Sequence, residues 1–202
     1  MKQKKSLNLQ KGAALVVVAH PDDETIWMGG TILKFKNLNW TIFCLTRNYD
    51  PDRAPKFKKV CAFYGARSII SDLEDEGSLN IRESIPKIKK RLTGLLPRKK
   101  FKYIFTHGAK GEYGHPRHKA VHRAVKELVA DKKISAERVF FFDYELNERT
   151  GIAVPNKHAP IHTKLTRSSS KIKRDVVKIR YGFAPRSFET RSAASEETFS
   201  EY

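Results

Sequence analysis

Two short stretches concentrate the residues that could do chemistry. The first is Ala19-His20-Pro21-Asp22-Asp23-Glu24, which holds one imidazole and adjacent carboxylates. The second runs from Thr106 to His118 and holds His107, Glu112, Tyr113, His115 and His118. Histidine and aspartate three positions apart across a sharp turn can ligate one metal ion, and neutral imidazole with carboxylate suits zinc. The second aspartate is too close in sequence to serve easily as a third ligand, but it can face a water and take its proton. A histidine from the second stretch can complete a His–Asp–His site with a fourth position open. The plainer reading of the first stretch alone is a helix N-cap beside a half-buried histidine.

The elements around both stretches place them at one edge. Ala13 to Ala19 is apolar on both faces, which predicts a buried strand of a parallel sheet. Pro21 cannot continue that strand, for want of an N–H. A helical pattern follows, with Ile26, Trp27, Gly30, Leu33 and Phe35 as inward candidates. The second stretch likewise follows a short apolar run, Tyr103 to Phe105, and leads into a helix with Val121, Val125 and Leu128 inward. Both therefore leave the carboxyl ends of strands, where open α/β sheets bind ligands.

These two turns, an AHPDDE run and a later GHPxH run, resemble the signature of the PIG-L/LmbE-like zinc-dependent de-N-acetylases. The resemblance extends from Gly12 to about Phe142. It implies His20, Asp23 and His118 as ligands of one Zn2+ or another divalent ion, and Asp22 as the general base. It implies hydrolysis of an acetamide, with His115 stabilising the oxyanion or protonating the leaving amine and Tyr113 helping to polarise the carbonyl. An amide nitrogen leaves poorly until protonated, so a second acid–base group is required. Arg53 and Arg47 match the place of a substrate-contacting arginine in some relatives. Many relatives carry aspartate where this chain has Arg117. Pointing inward, Arg117 disfavours an imidazolium at His115; pointing outward, it can greet an anionic substrate. His107 is expected to be a structural histidine. Glu24 and Glu112 are expected to cap or support rather than to ligate.

The rest of the chain predicts a three-layer, Rossmann-like, mostly parallel α/β sheet with helices on both faces. Strands are expected at Trp40–Leu45, Ser68–Ile70 and Val139–Phe142, alternating with helical stripes at Phe57/Val60/Cys61/Tyr64 and Ile81/Ile85/Ile88/Leu92/Leu95. No GxGxxG follows the first strand, so a dinucleotide is not indicated. Cys44 and Cys61 look like small core residues. The acidic run Asp72 to Gly77 reads as a solvated loop, although it too follows a strand. Asn147 to Ser170 shows no period and reads as a long loop. Lys171 to Arg180 reads as a basic helix with Ile172, Val176 and Ile179 on one face. The expected organisation is a flexible basic N-terminus over 1–11, one domain over 12–185 and a polar tail over 186–202.

Among 202 residues, 40 Lys+Arg against 22 Asp+Glu give a formal charge of +18, which attracts anions without choosing among them. No run approaches ~18 apolar residues, so no membrane span is expected. Lys2, Lys4 and Lys5 are separated from the apolar run by polar residues, and no cleavage site follows, so no signal peptide is expected. The leading expectation is a cytoplasmic zinc amidohydrolase, free or peripheral to an acidic membrane surface, that removes acetyl from an N-acetylglucosamine-like conjugate of anionic character. The alternatives are a zinc hydrolase of another amide or ester, and a non-catalytic carbohydrate- or nucleic-acid-binding protein on the same fold. Nucleic acid is the least expected partner.

Overall fold

The computed structural model describes residues 5–202. In chain order the elements are β1 (Lys5–Ser6), β2 (Ala13–Val18), α1 (Asp23–Lys34), β3 (Asn39–Thr46), α2 (Arg53–Phe63), β4 (Arg67–Leu73) and α3 (Ile81–Leu95). Then come β5 (Lys100–Thr106), α4 (Gly111–Gly114), α5 (Pro116–Ala130), β6 (Ser135–Phe142), β7 (Tyr144–Asn147), β8 (Ile152–Pro155) and β9 (Ile161–Lys164). The chain ends with α6 (Arg167–Asp175), a π-helical turn at Val176–Arg180, α7 (Phe188–Ser192) and β10 (Glu196–Glu201).

The main sheet has the order β1-β9-β10-β6-β5-β2-β3-β4. Its β6-β5-β2-β3-β4 section is parallel throughout, as the apolar runs predict. β2 is flanked by β3 and β5, so the strand order reverses there. Alternation along β2 builds two cores. Leu15 and Val17 pack with Ile88, Leu92, Val121 and Val125 on one face. Val16 and Val18 pack with Ile26, Trp27, Phe57 and Val60 on the other. Burial of each such aliphatic side chain contributes roughly 1.5–3 kcal/mol. Three layers result, and both histidine-bearing turns leave the same edge of adjacent strands. Among the described residues, no helix is long and apolar enough to cross a membrane.

Both ends differ from expectation. Lys5 and Ser6 pair in parallel with Ile161 and His162, and Leu7 and Leu9 are buried, so residues 5–11 are an ordered arm; residues 1–4 of the expected flexible segment lie outside the described residues. The expected polar tail is built into the sheet. β10 pairs antiparallel with β6 and with β9, and Phe199 is fully buried. Its polar letters hid it: Glu197 is fully buried but bonded on both oxygens. The expected loop over 147–170 holds the β7–β8 hairpin's second strand and β9, each too short to show a period. The basic helix does form, but of its expected stripe only Val176 is buried; Ile172 and Ile179 stay exposed. Leu95 also faces out, and Leu96 fills the core instead.

Candidate active site

β2 ends at Val18 and α1 starts at Asp23, so Ala19, His20, Pro21 and Asp22 make the whole connection. Asp22 takes φ 124°, a conformation that an L side chain rarely adopts. Among the described residues, the non-glycine positions with positive φ are Asp22, Arg47, Glu112 and Lys132. The first three converge on this edge, so backbone strain is concentrated at the site. On the other side of the switch point, β5 ends at Thr106 and the chain passes through α4 to His115, the N-cap of α5. His118 therefore lies in the first turn of α5, facing inward and fully buried.

The two turns meet. The rings of His20 and His118 are 5.2 Å apart. His20 Nδ1 lies 3.2 Å from Asp23 Oδ2 and 3.2 Å from His118 Nε2, and Asp23 Oδ2 lies 3.4 Å from His118 Nε2. Three donors bonded at about 2.0–2.1 Å to one tetrahedral zinc would stand roughly 3.3 Å apart. The triangle fits such an ion. The far nitrogens are also committed. His20 Nε2 donates to Asp75 Oδ1 at 3.1 Å, and His118 Nδ1 donates to Glu112 Oε2 at 2.5 Å. Carboxylates placed in this way fix the tautomer that leaves the facing nitrogen free to bind a metal. Burial opposes a charged His20, yet hydrogen bonds to Asp23 and Asp75 outweigh it and push its pKa up to about 10. The site draws in positive charge.

His107 is held differently. Its Nδ1 donates to Glu112 Oε2 at 2.8 Å, and its Nε2 accepts the Ala19 N–H at 3.0 Å. Its lone pair is used within the backbone, so His107 braces the junction although it lies 3.4 Å from Asp23. Glu112 thus supports both stacked rings, with Oε1 taking the Gly108 N–H. Gly108 has to be glycine: a Cβ there would meet the Phe142 carbonyl oxygen at 2.2 Å. Burial opposes ionisation of Glu112, but His107 and His118 hold it down to about 2.

Asp22 is buried beside the triangle. Burial and the neighbouring Asp23 raise its pKa well above the carboxylate range, against the pull of Arg53, whose Nη2 donates to Asp22 Oδ2 and to the Pro21 carbonyl, each at 2.7 Å. His115 Nδ1 accepts the Arg117 N–H at 3.2 Å, which leaves Nε2 as its free nitrogen. Burial, then His118 and His20, push His115 down to about 3, so it is a neutral imidazole. Tyr113 stands 5.6 Å from His115 and 5.4 Å from His118, ring to ring, and burial keeps its phenol protonated.

A cavity of about 440 Å3 opens over these groups, lined also by Trp27, Arg47, Arg53 and Phe188. Of the three expected substrate arginines, Arg53 and Arg47 line it and Arg117 does not. Arg117 points inward, buried, bonded to Ser84 Oγ and paired with Glu74 at 3.3 Å and Asp75 at 3.6 Å. A guanidinium so engaged cannot greet a substrate. Sequence reasoning missed Asp75, Phe188 and Glu189, all lining the cavity. Asp75 had one signal, an acidic run leaving the carboxyl end of a strand; the other two had none.

Fold and site together define an α/β protein whose strand-order switch point carries histidines and an aspartate able to hold a metal ion, in the groups His20/His115/His118 and Asp23/His107/His118. Residues 15–129 match the PIG-L family, described as GlcNAc-PI de-N-acetylase, and the chain belongs to that family. An uncharacterized protein of Acanthamoeba polyphaga mimivirus, L374, is 28% identical over 155 residues, 68% of this chain and 64% of that protein. This chain thus spans less than two thirds of that relative's length. Among solved structures, the 4-carboxy-2-hydroxymuconate hydratase GalB of Pseudomonas putida is similar with TM-score 0.66 at 14% identity, covering 94% of this chain and 95% of that one. The conserved protein TT1542 of Thermus thermophilus has TM-score 0.65 at 22% identity, covering 93% of each. The A40926 pseudoaglycone deacetylase Dbv21 has TM-score 0.60 at 15% identity, covering 88% and 81%. At these identities the structural likenesses establish the fold alone, and a hydratase and a deacetylase share it.

Proposed function

We propose that this protein is a metal-dependent amidohydrolase that removes acetyl from an N-acetylated sugar. The observation that carries the reading is the donor triangle of His20, Asp23 and His118 with Asp22 beside it. Family membership supports the same chemistry. His20, Asp23 and His118 would hold a zinc ion, which would supply the Lewis acidity for the acetamide carbonyl and for water. Asp22, with its raised pKa, accepts the proton of the attacking water and can deliver it to the departing nitrogen. His115, neutral and with its Nδ1 occupied by a backbone N–H, presents Nε2–H to the developing oxyanion. The Tyr113 hydroxyl donates to the same oxygen. Water and the amide give acetate and a free amine.

This assignment relieves a tension in the expected roles. An imidazole pushed down to about 3 is unprotonated near neutral pH and has no extra proton for a leaving amine, but it is a sound neutral hydrogen-bond donor. Asp22 therefore carries the proton and His115 the charge. The test is Asp22→Asn: zinc binding, read by metal analysis, persists near one ion per chain, while acetate release from N-acetylglucosaminides falls by about 10²–10⁴. Full activity in that variant removes Asp22 as the base.

A further inference from the structure

The charge of the cavity is opposite to that of the chain. The whole sequence carries +18, yet six carboxylates line the cavity: Asp22, Asp23, Asp50, Asp52, Asp75 and Glu189. Among the described residues only two arginines line it, and each is in an ion pair, Arg47 sharing Asp75 with His20 and Arg117. Arg53 is paired with Asp22 at 2.7 Å and Arg47 with Asp75 at 3.1 Å. Asp50 caps α2, accepting the N–H groups of Asp52 and Arg53 at 2.9 Å each. Asp52 is paired with Lys56 at 2.7 Å, and Glu189 has no ion pair among the described residues. Against the two arginines and a divalent ion at the triangle, the six carboxylates leave only a small negative excess in the lining. The facing wall is aromatic: Phe188 is 4.6 Å from Tyr113, and Tyr113 is 6.2 Å from Trp27, ring to ring.

We infer that the substrate portion beyond the acetamide carries no anionic group. The geometry fits a polyhydroxylated ring, neutral or bearing an amino cation, with its apolar face on the aromatic wall and its hydroxyls donating to the rim carboxylates. A phosphoryl group in the cavity would meet Asp50, Asp52 and Glu189 with no unpaired cation to receive it. The net charge of the chain does not decide this choice, because among the described residues all but two of its lysines and arginines lie outside the cavity lining. The inference rests on the amidohydrolase reading above and deepens it.

Three N-acetylglucosaminides differing only in a methyl, phosphoethyl or aminoethyl aglycone are compared for acetate release by the zinc-loaded protein. The expected order of kcat/KM is aminoethyl at or above methyl, with phosphoethyl at least about tenfold lower. The gap narrows in high salt and in Glu189→Gln. The matching glucosides, which have no acetamide to hydrolyse, are titrated calorimetrically and should bind in the same order. A phosphoethyl compound that is turned over or bound as well as the methyl compound overturns the inference. No acetate from any of the three, with the binding order kept, counts against the amidohydrolase reading and leaves the charge preference standing.

Discussion

Asp22 is held at φ 124°, where glycine is at ease and aspartate is not. Positions of this kind cost about 1–3 kcal/mol and persist where a function needs the geometry. Asp22→Gly releases that strain and removes a buried carboxylate beside Asp23, against the loss of the Arg53 pair. The variant is expected to melt roughly 2–4 °C higher, about 1 kcal/mol at this size, while acetate release is abolished. Calorimetric melting of both proteins checks it, and a lower melting temperature would show that the Arg53 pair outweighs the strain. The residues of the triangle were legible because two turns of the chain match the signature turns of one family. Asp75 was not, since its importance depends on where the loop over 74–79 folds. Only the structure shows it gripping His20, Arg47 and Arg117 at once.

At the scale of elements, α1 is the part that the rest of the chain secures. Met28 departs from helical geometry at φ −148°, ψ 16°. Just beyond it the N–H groups of Gly30 and Thr31 donate to Glu197 at 2.8 and 2.7 Å, and the Thr31 hydroxyl donates at 2.6 Å. Lys173 from α6 closes the arrangement at 2.9 Å, fully buried. Removing one partner of a buried pair costs about 3–5 kcal/mol, so Glu197→Ala should lower urea stability by that amount. Lys173→Met should cost less, because Glu197 keeps three donors. The double variant should cost less than the sum of the two, and strict additivity in the denaturation midpoints would show that the pair is uncoupled. The parallel strands were legible because continuous β-branched runs bury on both faces. β7 to β10 were not. They are short, and β10 spells Glu-Glu-Thr-Phe-Ser-Glu, a pattern whose burial rests on α1 partners at the other end of the chain.

Over the whole molecule, β10 fills the position between β6 and β9, so β9 and β1 join the sheet only through it. Ending the chain after Ala194 is expected to give aggregated protein with no cooperative unfolding transition, because the facing edges of β6 and β9 lose their partner. A soluble, cooperatively melting truncation would show the parallel half to be self-sufficient. The distribution of charge was equally beyond the sequence, which gives totals and not their placement. The last strand also bears on biosynthesis. During translation the turn that carries His20 and Asp23 is made long before Glu197, which seats the helix that follows it. Until β10 is made, the facing edges of β6 and β9 stay unpaired in the nascent chain. Slow synthesis or a missing chaperone would then be felt first as premature clumping rather than as a weakened catalyst.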